Sequence, residues 1–574
     1  MKKEILKIST VAVFLLSIVG CGSNSDKSSD LDSDKNVSVQ KSRYEELLSY
    51  GVTPSIADYE DNDSKKILSG DFNLSQADLD WIHQMELHPN ITLIDGLSWD
   101  DNTFVPFSPD IDKFSLLIIG DASFVEELET LKAHKDSINI PTRVKSWQDL
   151  TNAFYSYGVD DPERIKQAIA YYREKAQIQY VMLVGDSDKF PMRFCKNYAT
   201  AGNYWVPTDL YYANLFKKDG SFEDWDGNGN GIFCETKSVE ANPNGGLINI
   251  DEIEGGADIA VGRVPASSVE EVHNYITKVI SYENNEYVQD WQKNNIMVVP
   301  GEFVQKGDIG YYKESYPRSL ALKESIFNDF AQKDFSVDRL YYDTANVNNT
   351  NYYYPLSLLS RESLIQKINS GAGYINFAGH GANNGWWLGA DEEGSLGFFD
   401  INAIDNLSNT DKYPIVFSVA CDTGKFYNNL KYLDTDNNEV IMGKDNKNPP
   451  KPNPIQSSNY DIDSMAEAFL LHRDNAGAIA FIASTEATQG QAQVIDKYFA
   501  NFYLNTFSED VSQHSLGDLW RKTMLSYKNN NVDMNKQESN KWTASIPFDH
   551  LLKYHLFGDP SLKIEVEYET PKIY

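Results

Sequence analysis

Residues 374–387 read YINFAGHGANNGWW, and residues 413–426 read YPIVFSVACDTGKF. In each, a short run of apolar, β-branched and aromatic side chains closes in small residues, the pattern of a strand buried on both faces of a parallel sheet. Ile375–Ala378 is the first predicted strand and Ile415–Ala420 the second. Open α/β sheets place their chemistry in the crevice beyond the carboxyl ends of their strands. His380 and Cys421 stand there, one after each run. Taken alone, a cysteine after a strand is more often a small core residue, and a histidine among glycines a loop residue. Their pairing is the layout of a cysteine nucleophile with a histidine partner. Gly379 and Gly381 let backbone approach a ligand closely beside the histidine, which makes the Gly381 N–H a candidate oxyanion donor.

Four further stretches extend the pattern: YVMLVGDSDKFP from Tyr180, DIAVGRVPASSVEEVHNYITKVISYE from Asp258, GAIAFIASTEATQ from Gly477 and YHLFGDPSLKI from Tyr554. With the GHG histidine and the strand-ending VAC cysteine, they resemble the gingipain family of caspase-like cysteine peptidases, in the family's order. The resemblance implies an α/β fold, a caspase-like parallel-sheet sandwich made of two α/β subdomains. It also implies Cys421 as nucleophile, His380 as acid and base, and the N–H groups of Gly381 and Cys421 as the oxyanion site. An acidic residue after VVPGEF would orient His380; Glu302, Glu314 and Glu324 are the candidates, with Glu314 preferred. Family members cleave after arginine or lysine, so a basic preference is the expectation. Trp386 and Trp387 are expected either to wall the substrate pocket, packing on an aliphatic stem, or to fill the core.

The amino-terminal segment reports a compartment. Lys2 and Lys3 precede an apolar run from Val11 to Val19, too short to span a bilayer and suited to a signal-peptide core. It ends in Ile18-Val19-Gly20-Cys21, which resembles a bacterial lipobox, so Cys21 is the expected lipidation site. That implies a lipid anchor in a bacterial membrane and a place on the cell surface or its extracellular side. Of four cysteines, Cys195 and Cys234 then remain, as a disulfide or as two buried thiols. The formal net charge of −33 leaves no basic stripe to neutralise phosphates, which excludes nucleic acid as a partner. Protein or peptide substrates are the expected partners.

Composition and rhythm divide the chain into a signal peptide (1–21), a polar tether (22–38), a small segment (39–112) with the position of a pro-segment, an N-terminal α/β subdomain (113–290) and a catalytic α/β subdomain (291–568). FSLLIIGD, PERIKQAIAYYREKA and YVMLVGD alternate strand, helix, strand, which implies a parallel sheet with helices on both faces. Residues 224–235, DWDGNGNGIFCE, match the calcium-loop pattern D-x-[DN]-x-[DN]-G-x5-E. Asp224, Asp226, Asn228 and Glu235 would supply side-chain oxygens and Asn230 a carbonyl, so structural calcium is the expected cofactor. Asp434, Asp436 and Asn438, within a polar insertion from Phe426 to Ser464, are a poorer match. Two function classes follow: an exported, calcium-dependent cysteine endopeptidase, or a catalytically silent surface-binding lipoprotein on the same fold.

Overall fold

A computed structural model describes residues 113–197, 204–237, 248–284, 290–300, 322–333, 335–341, 356–390, 396–427, 430–433, 439–441, 456–457, 463–488, 492–507, 515–531 and 546–564. Cys21, the 22–38 tether, the 39–112 segment, Glu302, Glu314, Asp434, Asp436 and Asn438 lie outside them.

The apolar runs form strands wherever the sequence places them. The principal sheet contains β1 (Leu116–Gly120), β2 (Thr142–Ser146), β3 (Tyr180–Val184), β4 (Ala260–Val264), β5 (Asn294–Val299), β6 (Ser336–Tyr341), β7 (Leu356–Leu358), β8 (Tyr374–Ala378), β9 (Ile415–Val419), β10 (Ala480–Ser484) and β11 (Tyr554–Gly558). Every residue of β1, β8, β9 and β10 is buried, so both faces of the sheet are covered and alternation of polar and apolar positions is lost. The strand order is β7-β6-β5-β8-β9-β10-β11-β4-β3-β1-β2. The ladders on either side of β11 are parallel, whereas β11 itself runs antiparallel to β10 and meets β4 at the Phe557–Arg263 pair.

This order refines the expected two subdomains. Their sheets are one sheet, and the strand that joins them, β11, comes from the stretch assigned by sequence to the catalytic part. Gly262 explains how closely the halves approach, since a Cβ there would lie 2.4 Å from the Gly558 carbonyl oxygen.

Helices pack on the sheet with well-marked starts. Among them are α1 (Val125–Ser137), α2 (Asp161–Lys175), α3 (Val269–Glu283), α4 (Arg361–Ser370), α5 (Met465–Leu471) and α6 (Gln493–Asn505). Asp160 caps α2, with Pro162 in its first turn, and Ser268 with Glu271 forms a capping box on α3. Val272, Tyr275, Ile276 and Val279 recur at helical spacing and are the face that α3 buries. Burying side chains of this size contributes roughly 1.5–3 kcal/mol each.

Cys195 and Cys234 form a disulfide, settling the alternative that spacing left open. The bridge ties the 224–235 loop to the ribbon of Phe194–Asn197 and Tyr204–Pro207, and Phe194 packs edge-on against Tyr427, just past the cysteine loop. No helix among the described residues is long and apolar enough to cross a membrane.

Candidate active site

Strands β8 and β9 are parallel neighbours with Ala378 opposite Val419. The pairing continues one step further, where the Gly379 N–H donates to the Val419 carbonyl at 3.1 Å. His380 and Cys421 therefore leave the sheet at the same level, side by side. A Cβ on Gly379 would lie 2.3 Å from Pro300 Cγ, so only glycine lets this turn pass the end of β5. At Gly381 a Cβ would meet the Ala420 Cβ at 2.8 Å and the Cys421 carbonyl oxygen at 3.0 Å. The histidine loop is thus pressed against the cysteine loop by its backbone.

The His380 carbonyl accepts the Trp387 N–H at 3.0 Å, which folds the following residues into a hairpin of Gly381–Ala382 against Gly385–Ala390. His380 is partly exposed, whereas Cys421 is 3% exposed. The Thr488 N–H lies 3.4 Å from Cys421 Sγ, and the Thr488 carbonyl oxygen lies 3.6 Å from it. The chemistry needs this sulfur as a thiolate. A backbone N–H aimed at it favours the charged form.

Beyond the nucleophile the chain turns sharply. Asp422 adopts a left-handed φ of 59° and donates its N–H to the Glu486 carbonyl at 3.2 Å. Burial pushes the Glu486 carboxyl up to about 7, against the pull of the Lys425 ammonium 3.7 Å away. Thr488 and Glu486, from the segment after β10, were not legible as site residues. Thr488 acts through its backbone, which leaves no mark in the sequence.

Three of the candidate residues have defined surroundings. Trp386 is fully buried and stacks on Phe377 at 4.4 Å, and its Nε1–H donates to Ser418 Oγ, which in turn is 2.9 Å from Thr423 Oγ1. It is core, and it has no face left for a substrate. Trp387, on the opposite face of the hairpin, is 7% exposed and edge-on to Phe398. Glu324, a candidate for orienting His380, instead binds Arg339 and Tyr341 of β6 within the core. Glu302 and Glu314 follow β5 in sequence, and β5 adjoins β8 in the sheet.

Strand β8 is pinned from below. Asp496 of α6 accepts from Asn376 Nδ2 at 2.5 Å and from the Tyr374 hydroxyl at 3.2 Å, while its other oxygen receives Lys323 Nζ at 2.7 Å. From the side comes α5, whose far end is followed by His472, held between Asp405 at 2.7 Å and Asp463 at 2.8 Å. Burial alone would lower the pKa of this imidazole, but its hydrogen bonds to Asp463 and Asp405 carry it up to about 8. A folded-state value above the unfolded one means that this stabilisation is complete below about pH 6.5 and fades as pH rises through about 8. His472→Gln is therefore expected to lower the melting temperature at pH 6 and to match the parent at pH 9. After solvent screening the difference at pH 6 is at most about 1 kcal/mol. A gap that is the same at both pH values would refute it.

In the 224–235 loop, Asp224 Oδ1 accepts the Asp226 N–H, and the two oxygens of Asp226 accept from Asn230 and Gly231. Glu235 Oε2 receives Asn228 Nδ2 and Asn230 Nδ2. Asp251, which the sequence reading missed, accepts the Glu235 N–H through Oδ2, while its Oδ1 is buried without a hydrogen-bond partner. Burial pushes the Asp251 carboxyl up to about 7, and the charges of Asp226 and Glu235 add to the rise. No three His, Cys, Asp or Glu side chains converge as a metal cluster among the described residues.

Known proteins resemble this chain. The profile of peptidase family C25 matches residues 111–565. Gingipain R2 of Porphyromonas gingivalis is 21% identical over 316 residues, covering 55% of this chain and 33% of that protein. Gingipain R1 from the same organism is 20% identical over 312 residues, covering 54% and 24%. The chain thus spans a third or less of the length of these curated relatives. The crystal structure of the Arg-specific cysteine proteinase gingipain R superposes with a TM-score of 0.51 at 16% identity, over 80% of this chain and 81% of that one, a likeness of fold. With its profile match running through both halves of the sheet and across His380 and Cys421, the chain belongs to peptidase family C25, the gingipain-like cysteine peptidases.

Proposed function

We propose that this protein is an exported, lipid-anchored cysteine endopeptidase in which Cys421 attacks the peptide carbonyl and His380 moves the proton. The observation that carries the reading is the pairing of β8 with β9, which brings the two residues to one level at the carboxyl ends of neighbouring strands. His380 takes the thiol proton and the sulfur bonds to the carbonyl carbon. The resulting oxyanion is held by the Gly381 and Cys421 N–H groups. The imidazolium then protonates the leaving amine as the C–N bond breaks. Water, deprotonated by His380, hydrolyses the thioester and restores the thiol. A preference for arginine or lysine before the scissile bond is part of the proposal, and its support is the gingipain R likeness.

Structural calcium belongs to the same reading. The loop offers the hard oxygen donors the ion needs, and the Asp251 carboxylate beside Asp226 and Glu235 would add another. Bound there, the ion would neutralise these carboxylates. A hundredfold excess of calcium over its Kd should then raise stability by about 2.7 kcal/mol. The calcium-dependent rise in melting temperature is expected to vanish in Asp251→Ala. An undiminished rise in that variant would remove Asp251 from the site.

The test of the enzyme is digestion of a mixed-sequence peptide library by residues 22–574 in calcium and reductant, with product ends read by mass spectrometry. Cleavage by the parent and none by Cys421→Ala is the expected result, with basic residues at the new carboxyl ends. Intact peptides with both proteins would favour the silent binding lipoprotein.

A further inference from the structure

The first four N–H groups of a helix have no partner within it. On α5 all four are accounted for, and in two different ways. Ser464 and Glu467 form a capping box: Ser464 N–H donates to Glu467 Oε2 at 2.6 Å, and Glu467 N–H to Ser464 Oγ at 3.3 Å. That leaves the N–H groups of Met465 and Ala466. Met465 donates to the Asn383 carbonyl at 2.6 Å, in the turn that follows His380. Ala466 donates to the Thr423 carbonyl at 3.1 Å, two residues past Cys421. Adjacent amides of one helical turn therefore grip the histidine loop and the cysteine loop.

The helix is held from behind by the other half of the molecule. Lys278 of α3 donates to the Phe469 and Ala476 carbonyls at 3.0 and 3.2 Å, and Asn274 of α3 donates to the Leu471 carbonyl at 2.8 Å. Both side chains satisfy carbonyls at the end of α5 that lack helical partners. Phe469 packs on Trp386 and Phe481, so the helix cannot slide without disturbing the core under the site.

We propose that α5 is a brace that fixes the spacing of the His380 and Cys421 loops, with Ser464 and Glu467 as positioning residues for the dyad. The inference rests on the peptidase reading for its catalytic consequence but not for its structural one. It gives the N-terminal half a task in catalysis, namely to anchor the brace through Lys278 and Asn274.

Ser464→Ala removes the acceptor that orients the first turn, and Ser464→Thr keeps one. Ser146→Ala removes a comparable cap, Ser146 Oγ to the Asp149 N–H, at the edge strand β2, and serves as the control for lost stability alone. In Ser464→Ala, kcat should fall about tenfold or more with KM within about twofold, because misplaced catalytic groups cost rate more than binding. Ser464→Thr should recover kcat, and Ser146→Ala should retain it. Amide exchange, read by mass spectrometry, should quicken in residues 379–383 and 421–424 of Ser464→Ala and not of Ser146→Ala. Parent-like exchange in those segments would overturn the brace. So would an equal fall in kcat in Ser464→Ala and Ser146→Ala, or no recovery in Ser464→Thr. A parent protein inert on all peptides would instead sink the peptidase reading, and the exchange result would still decide the brace.

Discussion

His380→Ala lowers kcat/KM for peptide cleavage by about 10²–10⁴-fold, the range that a positioned general acid and base contributes. The expectation follows from the sheet: β8 ends beside β9, and nothing but Gly379 separates His380 from the last paired residue. A second readout separates a lost base from a disturbed fold. In the parent, iodoacetamide should alkylate Cys421 well below the ordinary thiol range near pH 8.5, since an imidazolium partner and the Thr488 N–H both favour the thiolate. In His380→Ala the alkylation profile should move up toward that range. Cys421→Ala should neither cleave nor take the label at that position. Cleavage by His380→Ala within about threefold of the parent would remove the histidine from the mechanism.

The second large effect is on stability. Lys323 and Asp496 are both fully buried and 2.7 Å apart, and the same carboxylate holds Asn376 and Tyr374 of β8. Asp496→Ala strands a buried ammonium and two polar groups, which should cost about 3–5 kcal/mol. Burial already pulls the Lys323 pKa down, so the stranded amine would lose its proton more readily still. The double variant Lys323→Met, Asp496→Leu should recover much of the loss, because an apolar pair replaces the ions without leaving one unpaired. Denaturation midpoints at constant slope would report this. A single variant as stable as the parent would mean that the network does not support β8.

How much of this was readable beforehand depended on whether the signal was local. The strands were, because Leu116–Gly120, Tyr374–Ala378 and Ile415–Val419 are apolar runs broken only by Asn376 and Ser418, without the alternation of a half-exposed strand, and that says both faces are covered. Placing His380 and Cys421 at strand ends was local too. Trp386 was ambiguous because its fate depends on what packs above it: Phe377 lies nearby in sequence, but Phe469 and Phe481 come from α5 and β10. Glu324 was a candidate for orienting His380 by its place after VVPGEF alone, and its partner Arg339 comes from β6. The partners of Cys195 and of Asp251 Oδ2 are likewise distant in sequence, and spacing does not encode them. The amides of Met465, Ala466 and Thr488 have no signature at all, since every residue but proline carries one.

Strand β11 sets the order in which the molecule can be completed. It is the last of the described strands in sequence, yet it lies between β10 and β4. A chain synthesised from its amino end presents β4 with one bare edge, and at about 5–20 residues per second roughly 15–60 s pass before Tyr554 follows Val264. Once β10 is made, the growing polypeptide carries two unfinished sheets, each with a margin open to pairing with another chain. One five-residue strand closes both. Interruption of synthesis before it arrives leaves the half that holds His380 and Cys421 unjoined to the half that anchors α5.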